Sequence, residues 1–338
     1  MEFQFNFSIN NAVEDTAGIG KMAPEVVQEN ESTKHKEVSS EEKQISQKSL
    51  SDCSALSQSR EVTLPKKPSD PQSAKEHAMP TDVSKVLENK IMGTLPGTHC
   101  PDISVVEVAF PDPISSHSDL IPGVYEGGLK IWECTFDLLN YLSEAEIQFG
   151  HKLVLDLGCG AGLLGIAALK RNAEEVHFQD YNSSVIEEIT LPNVLVNCAH
   201  QSDDDGGIIE LSLTHCGGKD FNLDMLSKCR LFSGEWSEFT KLLLNSNKPL
   251  AKYDIILTSE TVYNPDYYEV LHDTLSNLLG PNGCVYLASK AHYFGCGGGI
   301  LLFTKFIEEK NVFKSRILKV IDKGLKRFII EMVFKNSL

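Results

Sequence analysis

Apolar residues downstream of residue 125 alternate between two spacings. Short runs with the continuous or every-second-residue pattern of strands are separated by longer runs at the three- and four-residue spacing of an amphipathic helix. Seven strands are predicted in this way, at residues 152–158, 175–181, 230–236, 253–260, 283–290, 315–322 and 326–335. Helices are predicted at residues 131–142, 162–171, 183–198, 238–245, 266–279 and 300–310. The alternation predicts an α/β fold with a seven-stranded, mostly parallel sheet that closes on a terminal antiparallel hairpin.

An N-terminal extension is predicted at residues 74–124. Asp82 precedes an apolar stripe that continues to Ile91 at helical spacing, so we expect a short amphipathic helix with a capping aspartate. Residues 104–110 have the composition of a strand, and turn-forming residues follow them. The main domain is accordingly placed at residues 125–338.

Residues 1–73 have the composition of a disordered tail. The 102 residues between Phe7 and Phe110 contain no aromatic side chain, and a segment this poor in large apolar groups does not support an ordinary core. Two motifs of the tail have alternative interpretations. The alternating Phe3, Phe5 and Phe7 either add a strand to a sheet or belong to a disordered terminus. The Lys66-Lys67 pair is either a nuclear import signal or part of a solvated tail.

The composition excludes several classes of protein. The chain has 338 residues, of which 47 are acidic and 31 are basic, for a formal net charge of −16. No apolar run approaches the roughly 20 residues that span a bilayer, and the N-terminus lacks the basic and apolar regions of a secretory signal. Nine scattered cysteines without a C-x-x-C pair argue against a disulfide framework and a zinc site. We therefore expect an intracellular protein without a metal centre.

The acidic charge also indicates the kind of partner. Of the charged side chains, 32 acids and 20 bases follow residue 100, so the part that can fold carries a net −12. Such a surface repels phosphate backbones and attracts basic proteins. The expected partner is a basic protein, with no direct binding to nucleic acid or to a membrane.

A glycine-rich loop follows the first strand of the main domain. The run DLGCGAG at residues 156–162 connects a strand to a helix, which is the context of a nucleotide-binding loop. Asp180 ends the next strand, where its carboxylate can accept hydrogen bonds from two ribose hydroxyls. A nicotinamide dinucleotide and S-adenosylmethionine both fit this combination. Asp156 favours the second, because its charge would repel a pyrophosphate and attract a sulfonium.

Several separated motifs resemble one known family. They are SDLIPGVYEGGLKIWECTFDLLNYL (118–142), VLDLGCGAGLLGI (154–166), HFQDYN (177–182), FSGEW (232–236), ILTSETVYNPDYY (256–268) and ASKAHYFGCGGG (288–299). These runs resemble the eukaryotic protein-histidine N-methyltransferases of the seven-β-strand class, the methyltransferase-like protein 18 family. The resemblance implies a Rossmann-like methyltransferase sheet and S-adenosyl-L-methionine as cofactor, with S-adenosyl-L-homocysteine as product. It also implies that the substrate is a histidine of the large-subunit ribosomal protein L-three, with an effect on ribosome assembly or translation.

Together with the loop residues Asp156, Gly158 and Gly160, the resemblance predicts a set of cofactor-binding residues. The set continues with Ile131, Trp132, Glu133, Cys134, Thr135, Gln179, Asp180, Tyr181, Gly234, Glu235, Trp236, Thr258 and Ser259. Trp132 can cover the sulfonium by cation–π attraction or act as a core aromatic. Glu133 can bind the cofactor ammonium or lie on a helix surface.

Methyl transfer to a histidine requires that the imidazole be oriented more than it requires a strong base. A histidine with a pKa of about 6.5 is mostly neutral at pH 7, so one imidazole nitrogen can attack while an acceptor holds the N–H of the other. Glu260 is predicted to accept the hydrogen bond from this N–H. Tyr263 or Tyr293 is predicted to pack on the imidazole ring, and His292 is a second polar group beside it. The alternatives are a loop-anchoring role for Glu260 and a structural or solvated position for His292. His117 is either a site of self-methylation or an ordinary loop histidine.

Two other functions remain open from the residues themselves. A protein-lysine or small-molecule methyltransferase fits the cofactor loop, and the Glu-x-x-Tyr motif at Glu260 and Tyr263 suits a lysine acceptor as well. A cofactor-binding adaptor or chaperone for a basic ribosomal protein fits the acidic charge. We expect a monomer in the cytoplasm, with a nuclear or nucleolar fraction.

Overall fold

A computed structural model describes residues 72–88, 90–94, 103–107, 125–198, 223–246 and 251–336. The predictions for the N-terminal phenylalanines, the Lys66-Lys67 pair and His117 lie outside these residues. Within them, no helix is both long and apolar enough to cross a membrane. The strands are β1 (Lys75–His77), β2 (Ile91–Thr94), β3 (Ser104–Glu107), β4 (Leu153–Leu157), β5 (Glu175–Asp180), β6 (Cys229–Ser233), β7 (Tyr253–Ser259), β8 (Leu279–Lys290), β9 (Phe313–Ile321) and β10 (Arg327–Phe334).

The sheet contains eight strands in the order β1-β6-β5-β4-β7-β8-β10-β9. The neighbours from β6 to β8 run parallel, whereas β10 pairs antiparallel with both β8 and β9. The predicted mostly parallel sheet with a terminal hairpin is thus confirmed. The seven predicted strands are present, and β1 adds an eighth by pairing antiparallel with β6 at the edge.

Helices flank the strands in the predicted alternation. They are α1 (Val83–Leu87), α2 (Glu133–Glu144), α3 (Leu163–Lys170), α4 (Ser183–Val185), a π-helical turn (Ile186–Thr190), α5 (Leu191–Cys198), α6 (Leu223–Ser227), α7 (Trp236–Leu244), a 3₁₀ turn (Pro265–Tyr267), α8 (Tyr268–Leu278) and α9 (Ile300–Lys310). Asp82 caps α1, because its Oδ1 accepts a hydrogen bond from the Lys85 amide at 3.2 Å. The helix is shorter than predicted, since Ile91 starts β2.

The boundary between β6 and α7 also differs from the sequence prediction. A strand was expected to continue to Trp236, but β6 ends at Ser233. Gly234 has a φ of +124°, which turns the chain, and Trp236 becomes the first residue of α7. Trp236 therefore starts a helix at the carboxyl edge of the sheet.

Buried apolar side chains form two clusters, one on each face of the sheet. One contains residues of α2, α3 and α5, and the other contains residues of α7, α8 and α9. Close packing of α3 on β5 depends on Gly165, where an added Cβ would lie 2.4 Å from Phe178 Cε1. This three-layer arrangement leaves the carboxyl ends of the parallel strands accessible between the helix layers.

The described part of the N-terminal extension is bonded to the main domain. The antiparallel pair β2–β3 is held on α5, where the amide side chain of Asn193 accepts from the Val106 amide at 2.7 Å and that of Asn197 accepts from the Ser104 amide at 2.9 Å. On β1, Glu76 forms a two-pronged ion pair with Arg230 at 2.8 and 2.9 Å. The extension thus supplies both an edge strand and a covering hairpin.

Candidate active site

A cleft opens at the carboxyl ends of β4, β5 and β7. The chain leaves β4 toward β5 and β6 on one side and returns to β7 and β8 on the other, so the strand order reverses beside β4. Ligands of parallel α/β sheets bind at this switch point. The cavity there has a volume of about 260 Å³.

The cleft brings together most of the residues predicted for the site. Twelve of them line it: Ile131, Trp132, Thr135, Gly158, Gly160, Asp180, Tyr181, Glu235, Trp236, Ser259, Glu260 and Tyr263. Nine lining residues were not predicted: Glu126, Gly127, Gly128, Lys130, Cys159, Ala161, Thr261, Tyr267 and Val270. The remaining predicted residues are not part of the lining: Glu133, Cys134, Asp156, Gln179, Gly234, Thr258, His292 and Tyr293.

The glycine loop forms the floor of the cleft. Gly158, Gly160 and Gly162 all have positive φ angles, of +67°, +49° and +74°. At Gly158 an added Cβ would lie 2.7 Å from Thr261 Cγ2, so a side chain there would be strained and would clash. The loop needs glycine at this position for both its backbone conformation and the space above it.

Asp180 lies beside this loop at the end of β5. Its Oδ2 accepts a hydrogen bond from the Gly160 amide at 3.0 Å, and its Oδ1 accepts one from the Asn182 amide at 3.2 Å. Burial raises the pKa of Asp180 to about 6, although these amides act in the opposite direction. The carboxylate is thus oriented by the backbone at the position expected for a ribose ligand.

Gln179 connects two walls of the cleft from behind. Its side chain donates to the Gly234 carbonyl at 2.8 Å and accepts from the Trp236 indole at 3.1 Å. The Gly158 amide lies 3.4 Å from the same oxygen, Oε1. Gln179 was predicted to bind the cofactor, and the structure places it where it orients the glycine loop and Trp236.

A buried charge cluster lies under the acceptor end of the cleft. Lys290, at the end of β8, is only 3 % exposed and pairs with Glu133 at 3.0 Å and with Glu260 at 3.6 Å. Burial acts to lower the pKa of Lys290, but the charges of Glu260 and Glu133 raise it overall, so the lysine is cationic. Glu260 also accepts from the Tyr293 hydroxyl and from the Cys134 amide, the latter at 3.4 Å.

Aromatic side chains form another wall of the cleft. The rings of Trp236 and Tyr267 meet edge-to-face at 6.5 Å, and those of Tyr267 and Tyr263 meet at 6.0 Å. Tyr293 packs on Tyr263 at 6.3 Å, but it is buried and does not line the cleft. Glu126 joins this wall, because the Tyr263 hydroxyl and the Tyr267 hydroxyl both donate to its carboxylate, the second at 3.2 Å. Burial and the charge of Glu126 raise the pKa of Tyr263 well above its ordinary value, so its phenol keeps its proton.

Two family models match the segments that build the cleft. A ribosomal protein L11 methyltransferase (PrmA) model matches residues 135–206, and a lysine methyltransferase model matches residues 234–295. Each covers less than half of the chain. Both are methyltransferase families, and the first match contains the glycine loop.

Several relatives match over nearly the whole chain. The histidine protein methyltransferase 1 homolog of Bos taurus is 49% identical over a gapped alignment of 372 positions, which covers 99% of this chain and 99% of that protein. The Rattus norvegicus homolog is 49% identical over a gapped alignment of 366 positions with the same coverage. The chain belongs to the histidine protein methyltransferase 1 family. It is a protein methyltransferase. Histidine protein methyltransferase 1 of Saccharomyces cerevisiae is 32% identical over 63% of this chain and 66% of that protein.

Trp132 has two cationic neighbours in the structure. The ammonium groups of Lys130 and Lys290 lie 4.9 and 5.0 Å from its ring centroid, and the contact of its indole with a sulfonium stays a prediction. The indole N–H donates to the Gly127 carbonyl at 3.1 Å. Trp132 lines the cleft, and its cation–π contacts are made with these lysines.

The predicted attraction between Asp156 and a sulfonium is corrected by the structure. Asp156 is 1 % exposed beneath the loop, and its Oδ2 accepts from the Gly165 amide at 2.9 Å. Burial raises the pKa of Asp156 to about 8, so the group is mostly a neutral acid at pH 7. The other oxygen has no hydrogen-bond partner in the described structure and is the expected site of the proton. Asp156 therefore supports the start of α3 from beneath the loop and does not face the cleft.

Other predicted residues lie behind the cleft wall or away from it. Thr258 is buried, where its hydroxyl donates to the Leu157 carbonyl at 2.8 Å, while the neighbouring Ser259 faces the cleft and contacts Thr135 at 2.8 Å. Cys134 is buried and contributes its amide to Glu260. His292 is exposed and does not line the cleft, so its predicted catalytic position is corrected. The turn after β8 directs its side chain outward.

The most informative residues that sequence reasoning missed are Glu126, Tyr267 and Lys290. Glu126 lies next to the Gly127-Gly128 pair, Tyr267 in the NPDYY run and Lys290 at the end of β8. Each is part of a motif that resembles the family, and this was the only sign in the sequence that could have identified them. Metal binding is not indicated in the part of the chain that the structure describes, since it contains no group of three or more His, Cys, Asp or Glu suited to an ion.

Proposed function

We propose that this protein methylates a histidine imidazole of a basic protein, the large-subunit ribosomal protein L-three. The observation that carries the proposal is the 49% identity, over 99% of both chains, to relatives named as histidine protein methyltransferase 1 homologs. The histidine specificity rests on those names. The identity of the ribosomal substrate rests on the motif resemblance and on the formal net charge of −16, which favours a basic partner.

The cleft has the features that S-adenosylmethionine requires. A cradle of glycines at positive φ would receive the amino-acid part, and the carboxylate of Asp180 would accept from the ribose hydroxyls. Trp236, held by Gln179, would stack on the adenine, and Tyr181 would flank it. When bound, the cofactor supplies a methyl group on a cationic sulfur. The cofactor would not fill the part of the cleft between Glu260 and Tyr263, which is called the acceptor end and would receive the histidine of the protein substrate.

The residues of the chain would act on the substrate mainly by positioning it. A histidine at pH 7 already offers a neutral nitrogen, so no strong base is needed. The wall formed by Tyr263 and Tyr267 offers ring edges and faces against which an imidazole can pack. An acceptor carboxylate would fix which nitrogen carries hydrogen and which nitrogen attacks.

A labelled methyl donor and purified ribosomal proteins test the proposal. We expect label in protein L-three, and mass spectrometry of its peptides to place one methyl group on a histidine. The control is Gly158→Arg, which fills the glycine cradle and is expected to abolish transfer. Label on a lysine would support the lysine methyltransferase alternative, and tight binding of L-three without any transfer would support the adaptor alternative. Either result would contradict the proposal.

A further inference from the structure

Four carboxylates line the cleft, and they are held in different ways. Asp180 is bonded to loop amides, and Glu235 accepts from Ser237 at the start of α7 at 2.5 Å. Both lie toward the β5 and β6 side of the sheet. Glu260 lies at the acceptor end, where the target imidazole is expected. Glu126 lies between the two ends, because its amide donates to Asn182, two residues after Asp180, while its carboxylate accepts from Tyr263 and Tyr267.

Both carboxylate oxygens of Glu260 are already bonded to other groups of the protein. Oε2 accepts from Tyr293, while Oε1 accepts from the Cys134 amide and faces the ammonium of Lys290. The residue is 8 % exposed, and its φ of +59° is a left-handed conformation that fixes the backbone. These contacts direct the carboxylate inward, toward the buried cluster.

Glu126 is held by groups that themselves line the cleft. Tyr263 and Tyr267 donate their hydroxyl protons to it, so each phenol oxygen can only accept further hydrogen bonds from a ligand. A carboxylate oxygen can accept more than one hydrogen bond, which leaves capacity for a substrate N–H between the two rings. The backbone of Glu126 is fixed from behind by its amide, which donates to the Asn182 side chain at 3.2 Å.

Methyl transfer to an imidazole makes an acceptor at this position useful. The nitrogen lone pair forms the N–CH₃ bond, and the electrons of the S–CH₃ bond return to sulfur, which becomes a neutral thioether. Positive charge moves onto the imidazole ring, and the N–H on its other nitrogen becomes more acidic. A carboxylate that accepts this N–H stabilises the ring as charge develops, and the proton leaves to solvent after transfer.

We propose that Glu126, held by Tyr263 and Tyr267, is the carboxylate that accepts the N–H of the target imidazole. Glu260 then anchors the buried cluster beneath the substrate and does not contact the reacting ring. The assignment rests on the proposed histidine methylation. The residue assigned as hydrogen-bond acceptor for the imidazole N–H thus lies outside the Glu-x-x-Tyr motif at the end of β7.

The test compares Glu126→Gln, Glu126→Ala and wild-type full-length enzyme on protein L-three. Wild-type turnover on histidine is measured first and tests the proposed function alone. Glu126→Gln removes the charge but keeps the shape, and we expect kcat to fall about 100-fold while the Kd for S-adenosylhomocysteine stays within about twofold. Glu308→Gln, at an exposed position on α9, is the matched control and should retain wild-type kcat.

The position of the methyl group provides a second measurement. If Glu126 selects the attacking nitrogen, the ratio of the two N-methylhistidine isomers should shift toward the minor isomer by about fivefold or more in Glu126→Ala, because the N–H has lost its acceptor. A purely structural role would leave this ratio unchanged. The proposal is overturned if Glu126→Gln keeps kcat within about threefold of wild type, or if its loss is matched by weaker binding of S-adenosylhomocysteine.

Discussion

Two of the four carboxylates that line the cleft differ in their surroundings, Glu260 at the end of β7 and Glu126 on the segment that precedes α2. Glu260 is paired with a lysine that is 3 % exposed, so its charge belongs to a buried cluster. Glu126 accepts from two tyrosines that face the cleft. A carboxylate that lines an active site can thus stabilise the fold or contact the substrate. The groups that donate hydrogen bonds to it indicate which of these two roles it has.

The largest expected effect comes from removing the cation of the buried cluster. Lys290→Met leaves Glu260 and Glu133 without their shared partner, and we expect the free energy of unfolding to fall by about 3 kcal/mol. Urea denaturation measures it. Lys305→Met, at a lysine that is 72% exposed and 3.9 Å from Glu309, is the control and should change stability by less than about 0.5 kcal/mol. Equal losses in the two variants would remove the distinction between buried and exposed pairs.

Glu260→Gln should have a smaller effect of the same kind. Lys290 keeps its pair with Glu133, but an amide cannot accept from Tyr293, the Cys134 amide and Lys290 in the same geometry. We expect a loss of about 1–2 kcal/mol in unfolding free energy. An unchanged denaturation midpoint would argue that Glu260 is not an anchor, and would restore it as the candidate acceptor.

A third cleft carboxylate, Asp180, should make cofactor binding depend on pH. Its pKa is raised to about 6 by burial, and only the ionised form can accept from both ribose hydroxyls. The Kd for S-adenosylhomocysteine should therefore be constant above about pH 7 and rise about tenfold per pH unit below about pH 6, a slope that calorimetry can follow. Asp180→Asn should remove the slope. Asp156→Asn should keep it, because a pKa of about 8 leaves Asp156 protonated throughout this range.

The smallest expected effect is on the stability of Glu126→Gln. The carbonyl oxygen of glutamine can still accept from one of the two tyrosine hydroxyls, and its NH₂ group can donate to the phenol oxygen of the other. We expect the unfolding free energy to change by less than about 0.5 kcal/mol. Thermal denaturation of Glu126→Gln beside Glu260→Gln checks this directly. A larger loss in the Glu126 variant would reverse the comparison between the two carboxylates.

Sequence reasoning succeeded where the chemistry is local. The glycine loop and Asp180 were recognised because a strand, a turn and a helix follow one another within about thirty residues in a defined order. It failed for β1, since the three residues Lys75–His77 have no apolar pattern and become a strand only by pairing with β6. It failed for Asp156 as well, because adjacency to the loop did not reveal that the carboxylate points beneath it.

The sequence alone determined the order of strands and helices in residues 125–338 and the glycine loop, since both depend on spacing along the chain. It also determined the family, through the match of whole motifs to relatives. Only the tertiary structure decided which carboxylate is buried beside Lys290 and which accepts from tyrosines in the cleft. Glu126 and Tyr263 are 137 positions apart, and Glu260 and Tyr293 are 33 apart. Packing of the sheet brings such pairs together, and the burial and hydrogen-bond donors found there set the charge and direction of each carboxylate.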